Sequence, residues 1–302
     1  MLKANAITFL LFYFFTFSAL TNEWNIHLPD GRPSAPYPNI NNYNEDLSES
    51  GVGLGYTVPV SRHHIIPYNI IRDFYNAVIR NQRRQIIIGG FFRNVGVLIG
   101  RYAGHHGVLC NDAVMSSLES ASELSYMIAA GQISNSDQVT LRPNGFDELT
   151  EYYAWLPGNL FVGPTSRADD PGEDFEQNSL HLIGHERFII LRDLYNQMRV
   201  YISLAERPEA ETLPYLRRIA VLLTQVARIT HIRRLSSSEW RRRADGKYEI
   251  ITDDNGDANI DDVNNPSWLA PADADPLSLR CFDIKPQHKL IITEKGRGYD
   301  EI

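Results

Sequence analysis

Apolar residues recur at helical spacing through most of the middle of this chain, and this pattern limits the fold more than any other feature. Between residues 69 and 232, apolar side chains form several stripes with the period of an amphipathic helix. Only the short runs near 55–66 and 160–162 have the composition of strands. The sequence therefore predicts a mainly helical α+β fold with a few short strands.

Glycines repeat every four residues in one of these segments, at Gly96, Gly100 and Gly104. Such a stripe permits close packing of a helix against a neighbour and is known from membrane helices. Arg93 and Arg101 argue against a membrane span here. The segment is therefore predicted to be a tightly packed internal helix. Helices are also predicted at 69–79, 112–130, 146–154, 179–205 and 214–229.

The chain divides into four regions by composition. Residues 1–20 contain one lysine followed by an apolar run that ends in small residues, which is typical of a secretory signal peptide. A signal anchor is the alternative, although the run is short for a membrane span. Residues 21–50, rich in Pro and Asn, are predicted to form an extended leader. We expect a helical domain at 51–245, and a C-terminal tail at 246–302 with short strands and an acidic loop. The mature protein is thus expected to be secreted, without a stable membrane span.

Two further features of the chain leave alternatives open. Cys110 and Cys281 are the only cysteines, and in a secreted protein they could form one long-range disulfide. The tail contains a faint likeness to a calcium loop at 253–264, in which Ala258 stands where the loop requires glycine.

Three separated polar motifs point to a chemical site. The first is an adjacent pair, His63 and His64, followed by two isoleucines and a proline that favour a strand end. The second is Asn159, which follows a Pro-Gly turn and precedes a short apolar run. The third is His181-x-x-x-His185, a spacing that a regular helix places on one face.

In this order, the three motifs resemble the HNH or ββα-metal nuclease family, and their ligand set is most similar to the colicin-type DNases. The resemblance implies a small ββα-metal finger with a large helical insertion and a short irregular or β-type tail. It implies that His64 is the general base and that Asn159 fixes the orientation of that base. It also implies that His63, His181 and His185 bind one divalent metal ion, which could be Zn, Ni, Mg or Mn.

The chemistry of these residue types agrees with that family. Neutral imidazoles suit borderline divalent ions, which can leave a coordination position open for a phosphate oxygen. Such an ion offsets charge on the leaving oxygen, while a histidine base generates hydroxide near neutral pH. The resemblance thus predicts a secreted, metal-dependent endonuclease that hydrolyses phosphodiester bonds in DNA or RNA, as a toxin or effector. Nucleic acid is the expected substrate, and an inhibitor or host protein could be a further partner.

The spacing of the motifs departs from the family. The separation of His64 and Asn159 is far longer than usual, which requires a helical insertion to be looped out. His105-His106 is a rival histidine pair that lacks the following strand and proline. The gap after Asn159 is also long, and any of its charged residues could replace a histidine as ligand or contact a phosphate: Arg167, Asp169, Asp170, Glu173 and Glu176.

The distribution of charge leaves other functions open. The net charge of −8 argues against a generic nucleic-acid binder, which would usually be basic. The expected phosphate contacts are Arg62, Arg167, Arg241, Arg242 and Arg243, although a solvated basic surface explains the last three equally well. The alternatives are a secreted α-rich binding or structural protein without catalysis, and a different metallohydrolase that uses the same histidines.

Overall fold

The computed structural model of the protein describes residues 24–26, 32–43, 57–133, 143–252 and 274–285. The expected signal peptide and the calcium-like loop lie outside these residues. Within them the chain is mainly helical, with eight α-helices and two small sheets, which confirms the predicted mainly helical α+β fold.

The helices and strands follow one another in an order that separates the first two strands widely. β1 comprises Val60–His64 and β2 comprises Leu160–Pro164. Five helices lie between them: α1 (Tyr68–Ile79), α2 (Gln82–Ile87), α3 (Gly89–His105), α4 (Asp112–Ala129) and α5 (Phe146–Ala154). The elements after β2 are α6 (Ser179–Ser203), α7 (Glu209–Ala227), β3 (Arg233–Arg234), β4 (Trp240–Arg242), β5 (Tyr248–Ile250) and α8 (Pro276–Arg280).

The larger sheet brings β1 and β2 together despite this separation. They pair antiparallel, with His64 opposite Leu160 and His63 opposite Phe161, and β3 pairs parallel to β2 on its other edge. After β1 the chain turns through Ile65 and Ile66, whose side chains are buried in the core. Pro67, at φ −64°, then begins the transition into α1, because its fixed φ suits a helix start. The histidine pair therefore lies at the end of a strand, as the sequence predicts.

The glycine stripe of α3 lies at its closest packing contacts. A Cβ on Gly96 would lie 2.2 Å from Ser125 Oγ in α4, and one on Gly100 would lie 2.2 Å from the carbonyl oxygen of Cys281. Close packing of this kind confirms the predicted internal helix. Cys281 forms a disulfide with Cys110, with a Cα–Cα distance of 5.4 Å, and so joins the C-terminal segment to the start of α4. Among the helices described, none is both long enough and apolar enough to cross a membrane.

Parts of the expected leader and tail belong to the same core as the helices. Tyr37 is buried and donates its hydroxyl to the carbonyl oxygen of Trp155, while buried Tyr43 donates to the carbonyl oxygen of Leu235. β4 and β5 form an antiparallel hairpin, so the expected division at 245/246 falls inside that hairpin.

Candidate functional site

Asn159 ties the start of β2 to the chain that leaves β1. Its side chain is buried, and Oδ1 accepts a hydrogen bond from the Ile66 amide at 2.8 Å while Nδ2 donates to the Ile66 carbonyl at 2.9 Å. Its own carbonyl accepts from the Ile65 amide at 3.0 Å. Asn159 therefore fixes the backbone that follows the histidine pair and makes no bond to either imidazole.

His64 lies at the end of β1 against aromatic side chains. Its Nε2 lies 2.8 Å from the carbonyl oxygen of Ala154, and its ring centroid lies 4.8 Å from that of Trp155. Because a carbonyl can only accept, Nε2 carries the proton and Nδ1 keeps its lone pair. Nδ1 is buried without a hydrogen-bond partner. Burial lowers the pKa of His64 to about 3, so the ring is neutral at pH 7.

His63 stacks on Phe161 of β2, with ring centroids 5.1 Å apart. Its Nε2 donates to the carbonyl oxygen of Pro164 at 2.9 Å, and Nδ1 lies 3.8 Å from a carboxylate oxygen of Asp170. Burial and, to a smaller extent, the nearby Arg167 lower the pKa of His63 to about 4. This imidazole is also neutral at pH 7, and only its Nδ1 remains able to accept.

His181 and His185 do not share a helix face, and this prediction was wrong. α6 is interrupted at Gly184, which has φ 72° and ψ 168°, so the i,i+4 geometry of a regular helix is lost between them. His185 is exposed and His181 is half-buried. In the described chain, no group of three or more His, Cys, Asp or Glu is arranged to hold a metal ion. The expected ligand set of His63, His181 and His185 is therefore not assembled.

Arg167 was predicted to contact phosphate, but in the structure it forms ion pairs inside the core. Its side chain is 1% exposed and forms ion pairs with Glu176 at 2.8 Å and with Asp169 at 3.0 Å. Burial disfavours its charge, but the bonds to Glu176 and Asp169 outweigh that effect and raise its pKa. Because all three charged groups are engaged with one another, none is available to replace a histidine ligand in the way the sequence allowed.

The predicted basic cluster lies on the β4–β5 hairpin. Arg241 and Arg243 are exposed, and both form ion pairs with Glu249, at 2.5 Å and 3.1 Å. Arg242 lies between them and is half-buried. The charge of this cluster is therefore partly neutralised by an acidic residue on the facing strand.

The rival histidine pair also has structural contacts. His106 Nε2 donates to the carbonyl oxygen of Thr230 at 2.9 Å, and its ring centroid lies 4.6 Å from that of Tyr37. His105 packs edge-on against His231, with ring centroids 4.7 Å apart. Burial lowers the pKa of His106 to about 3.

The sequence analysis did not identify Arg187 of α6, which bonds backbone carbonyls of a distant turn. Its guanidinium donates to the carbonyl oxygens of Pro157 and Gly158, both at 3.0 Å. This arginine holds α6 against the turn that leads into β2. No local pattern in the sequence indicates it, because its partners are backbone atoms about thirty residues away.

A phage protein is similar to part of this chain. It is described as "Putative protein p9" of Acyrthosiphon pisum secondary endosymbiont phage 1, and it is 33% identical over 152 residues. The match covers 49% of this chain and 41% of the phage protein, so the chain spans less than half the length of that relative. No protein-family model and no solved structure matches the chain.

Proposed function

We propose that the protein is a secreted binding protein without catalytic activity, built on an HNH-like ββα scaffold. In this proposal β1, β2 and α6 are the scaffold, and α1 to α5 are the helical insertion. The proposal rests on the hydrogen bonds that the two adjacent histidines make. His63 and His64 both donate Nε2–H to backbone carbonyls, and His64 has its remaining nitrogen buried. Hydrogen bonds of this kind from half-buried side chains stabilise the fold.

The metal implied by the resemblance does not fit the residues present. Gly184 separates the two helix histidines, while Glu176 and Asp169 are engaged by Arg167. His63 Nδ1 and the exposed carboxylate of Asp170 remain as two neighbouring groups that could bind a metal ion. Structural and catalytic transition-metal sites usually have at least three protein ligands. These two groups therefore do not form the expected metal site.

The disulfide supports the secreted location. Cys110 and Cys281 lie far apart in the sequence, and both are fully buried in the core. Disulfides persist in oxidising compartments and are rare in the cytosol.

A second candidate function is the endonuclease that the sequence motifs predict. The antiparallel pairing of β1 with β2, followed by α6, favours it. So does Asn159, which fixes the backbone beside the histidine pair.

Cleavage assays separate the two functions. The purified mature chain is incubated with plasmid DNA and with RNA in the presence of magnesium, manganese, nickel or zinc. We expect no cleavage above that of a His63→Gln/His64→Gln variant, because both imidazoles use Nε2 to bond backbone carbonyls and the other nitrogen of His64 is buried. Circular dichroism checks that the variant is folded.

The contradicting result is equally specific. Cleavage by the wild type that is lost in His63→Gln/His64→Gln but kept in the exposed control Arg207→Ala would establish the nuclease and remove the binding-only proposal. Asp170→Asn provides a milder test of the same site, because Asp170 is 46% exposed and its replacement leaves the core intact.

A further inference from the structure

An open groove of about 670 Å³ lies between residues 32–42 and β1. Its volume falls within the range of small-molecule sites in proteins. The polar and aromatic residues that line it include Arg32, Asn39, Asn42, Ser61, Arg62 and Trp155. Among the described residues of its lining, none is acidic, although the whole chain has a net charge of −8. The groove is therefore a local region of positive charge.

Arg62 enters this groove from β1 as a half-buried cation. One of its terminal nitrogens donates to the carbonyl oxygen of Pro38 at 2.7 Å, and its guanidinium lies 5.2 Å from the ring centroid of Tyr37. Its Nε is buried without a hydrogen-bond partner. In the described part of the chain no carboxylate forms an ion pair with it. A partly desolvated guanidinium with an unused donor gains free energy when an anion binds beside it.

Arg32 lines the same groove from the other segment. It is exposed, and its guanidinium lies 5.5 Å from the ring centroids of both Tyr68 and Trp155. Contacts with aromatic faces orient the cation without neutralising it. No acidic partner of Arg32 is found among the described residues. Its N–H donors thus remain available to a ligand, in contrast to those of Arg167, which are used inside the core.

We propose that this groove binds an oxyanion, a phosphate, sulfate or carboxylate group carried on a small polar molecule. Arg32 and Arg62 supply the charge and the planar N–H donors that such groups accept from. The amides of Asn39 and Asn42 supply hydrogen bonds to the polar body of the ligand, as hydroxyl-rich molecules require. The inference rests on the proposed binding function and names its ligand class.

Calorimetric titration of the full mature chain tests the proposal. The probes are pyrophosphate, adenosine monophosphate, a sulfated disaccharide and a sialylated trisaccharide, with lactose as the neutral control. We expect at least one anionic probe to bind, lactose to remain unbound, and the affinity to fall when salt is raised. The preferred probe identifies the source of the oxyanion.

Variants at exposed positions locate the site without disturbing the core. Arg32→Glu and Asn42→Asp should each weaken binding by about tenfold or more, because each places a negative charge where the ligand charge lies. Arg207→Glu is the matched control, since it makes the same charge change at an exposed position that does not line the groove. Arg62→Lys keeps the charge but loses the planar fork, and should give an intermediate loss.

Two outcomes would overturn the groove proposal. One is that none of the anionic probes binds at low salt; the other is that Arg32→Glu and Asn42→Asp bind as tightly as the wild type. Nuclease activity is measured separately on the same protein. A protein that cleaves nucleic acid but still binds anions through Arg32 would refute the non-catalytic function and leave the groove standing.

Discussion

Asn159 joins two segments that lie far apart in the sequence. Its amide group satisfies both the N–H and the carbonyl of Ile66, and its own carbonyl satisfies the N–H of Ile65. These backbone groups are buried, where unmade hydrogen bonds are costly. One side chain therefore closes the loop that contains five helices, whether or not the neighbouring histidines take part in any reaction.

Replacement of Asn159 by alanine should destabilise the protein. The variant leaves the amide and carbonyl of Ile66 without partners, which we expect to cost about 2–4 kcal/mol. Urea unfolding followed by circular dichroism measures the loss. Asn144→Ala is the control, because Asn144 is exposed. Equal stability of the two variants would show that water or a shifted backbone replaces the bonds of Asn159.

At the level of one element, α3 shows how glycine permits packing that no other residue would. Gly100 faces the carbonyl oxygen of Cys281, and Gly104 faces the ring of Phe282. The disulfide at Cys281 holds this C-terminal segment in place, so it cannot move aside freely. A Cβ added to Gly90, in the same helix, would lie 3.8 Å from Thr224 Oγ1, its nearest neighbour outside the local chain. The same residue type thus has two different roles within one helix.

Alanine at these two glycines should have opposite effects. Gly100→Ala places a Cβ 2.2 Å from a backbone oxygen, and overpacking of this kind costs about 1–3 kcal/mol. Gly90→Ala meets only ordinary contact and should stabilise the helix by up to about 1 kcal/mol. Thermal unfolding of both variants under oxidising conditions gives the comparison. A Gly100→Ala protein as stable as the wild type would mean that α3 and the C-terminal segment separate readily.

Across the whole molecule, three half-buried histidines are neutral in the folded state. The pKa values of His63, His64 and His106 are lowered to about 4, 3 and 3, chiefly by burial. In the unfolded chain these groups take up protons below about pH 6.5. Glu151 acts in the opposite direction, because burial raises its pKa to about 7 and the folded state then holds its proton longer. Three histidines outweigh one carboxyl group.

The protein should therefore lose stability as the pH falls from about 6.5 towards 4. From these four groups, the unfolded state binds up to about two more protons than the folded state in this range, which corresponds to about 2–3 kcal/mol per pH unit at most. Denaturant unfolding at a series of pH values measures the slope. His106→Gln should reduce it, since one titrating imidazole is removed. A stability that rises on acidification, or a slope unchanged in His106→Gln, would contradict the assignment.

The sequence by itself determined the features that depend on neighbouring residues. Helical periodicity predicted the main helices, because the residues on the buried face of a helix are spaced three and four positions apart. The β-branched pair and Pro67 fixed the strand end after the histidines, and the glycine spacing indicated the packed face of α3. These are local properties of the chain, and the structure agrees with them.

Only the tertiary structure decided what the polar residues of the candidate site do. His181 and His185 have helical spacing in the sequence, but Gly184 adopts a positive φ that separates their faces. Arg167 was expected to contact a ligand, but it pairs with Glu176 in the core. The availability of a charged or metal-binding group depends on which distant atoms already satisfy it. Those partners are chosen by packing, and packing is a property of the whole fold.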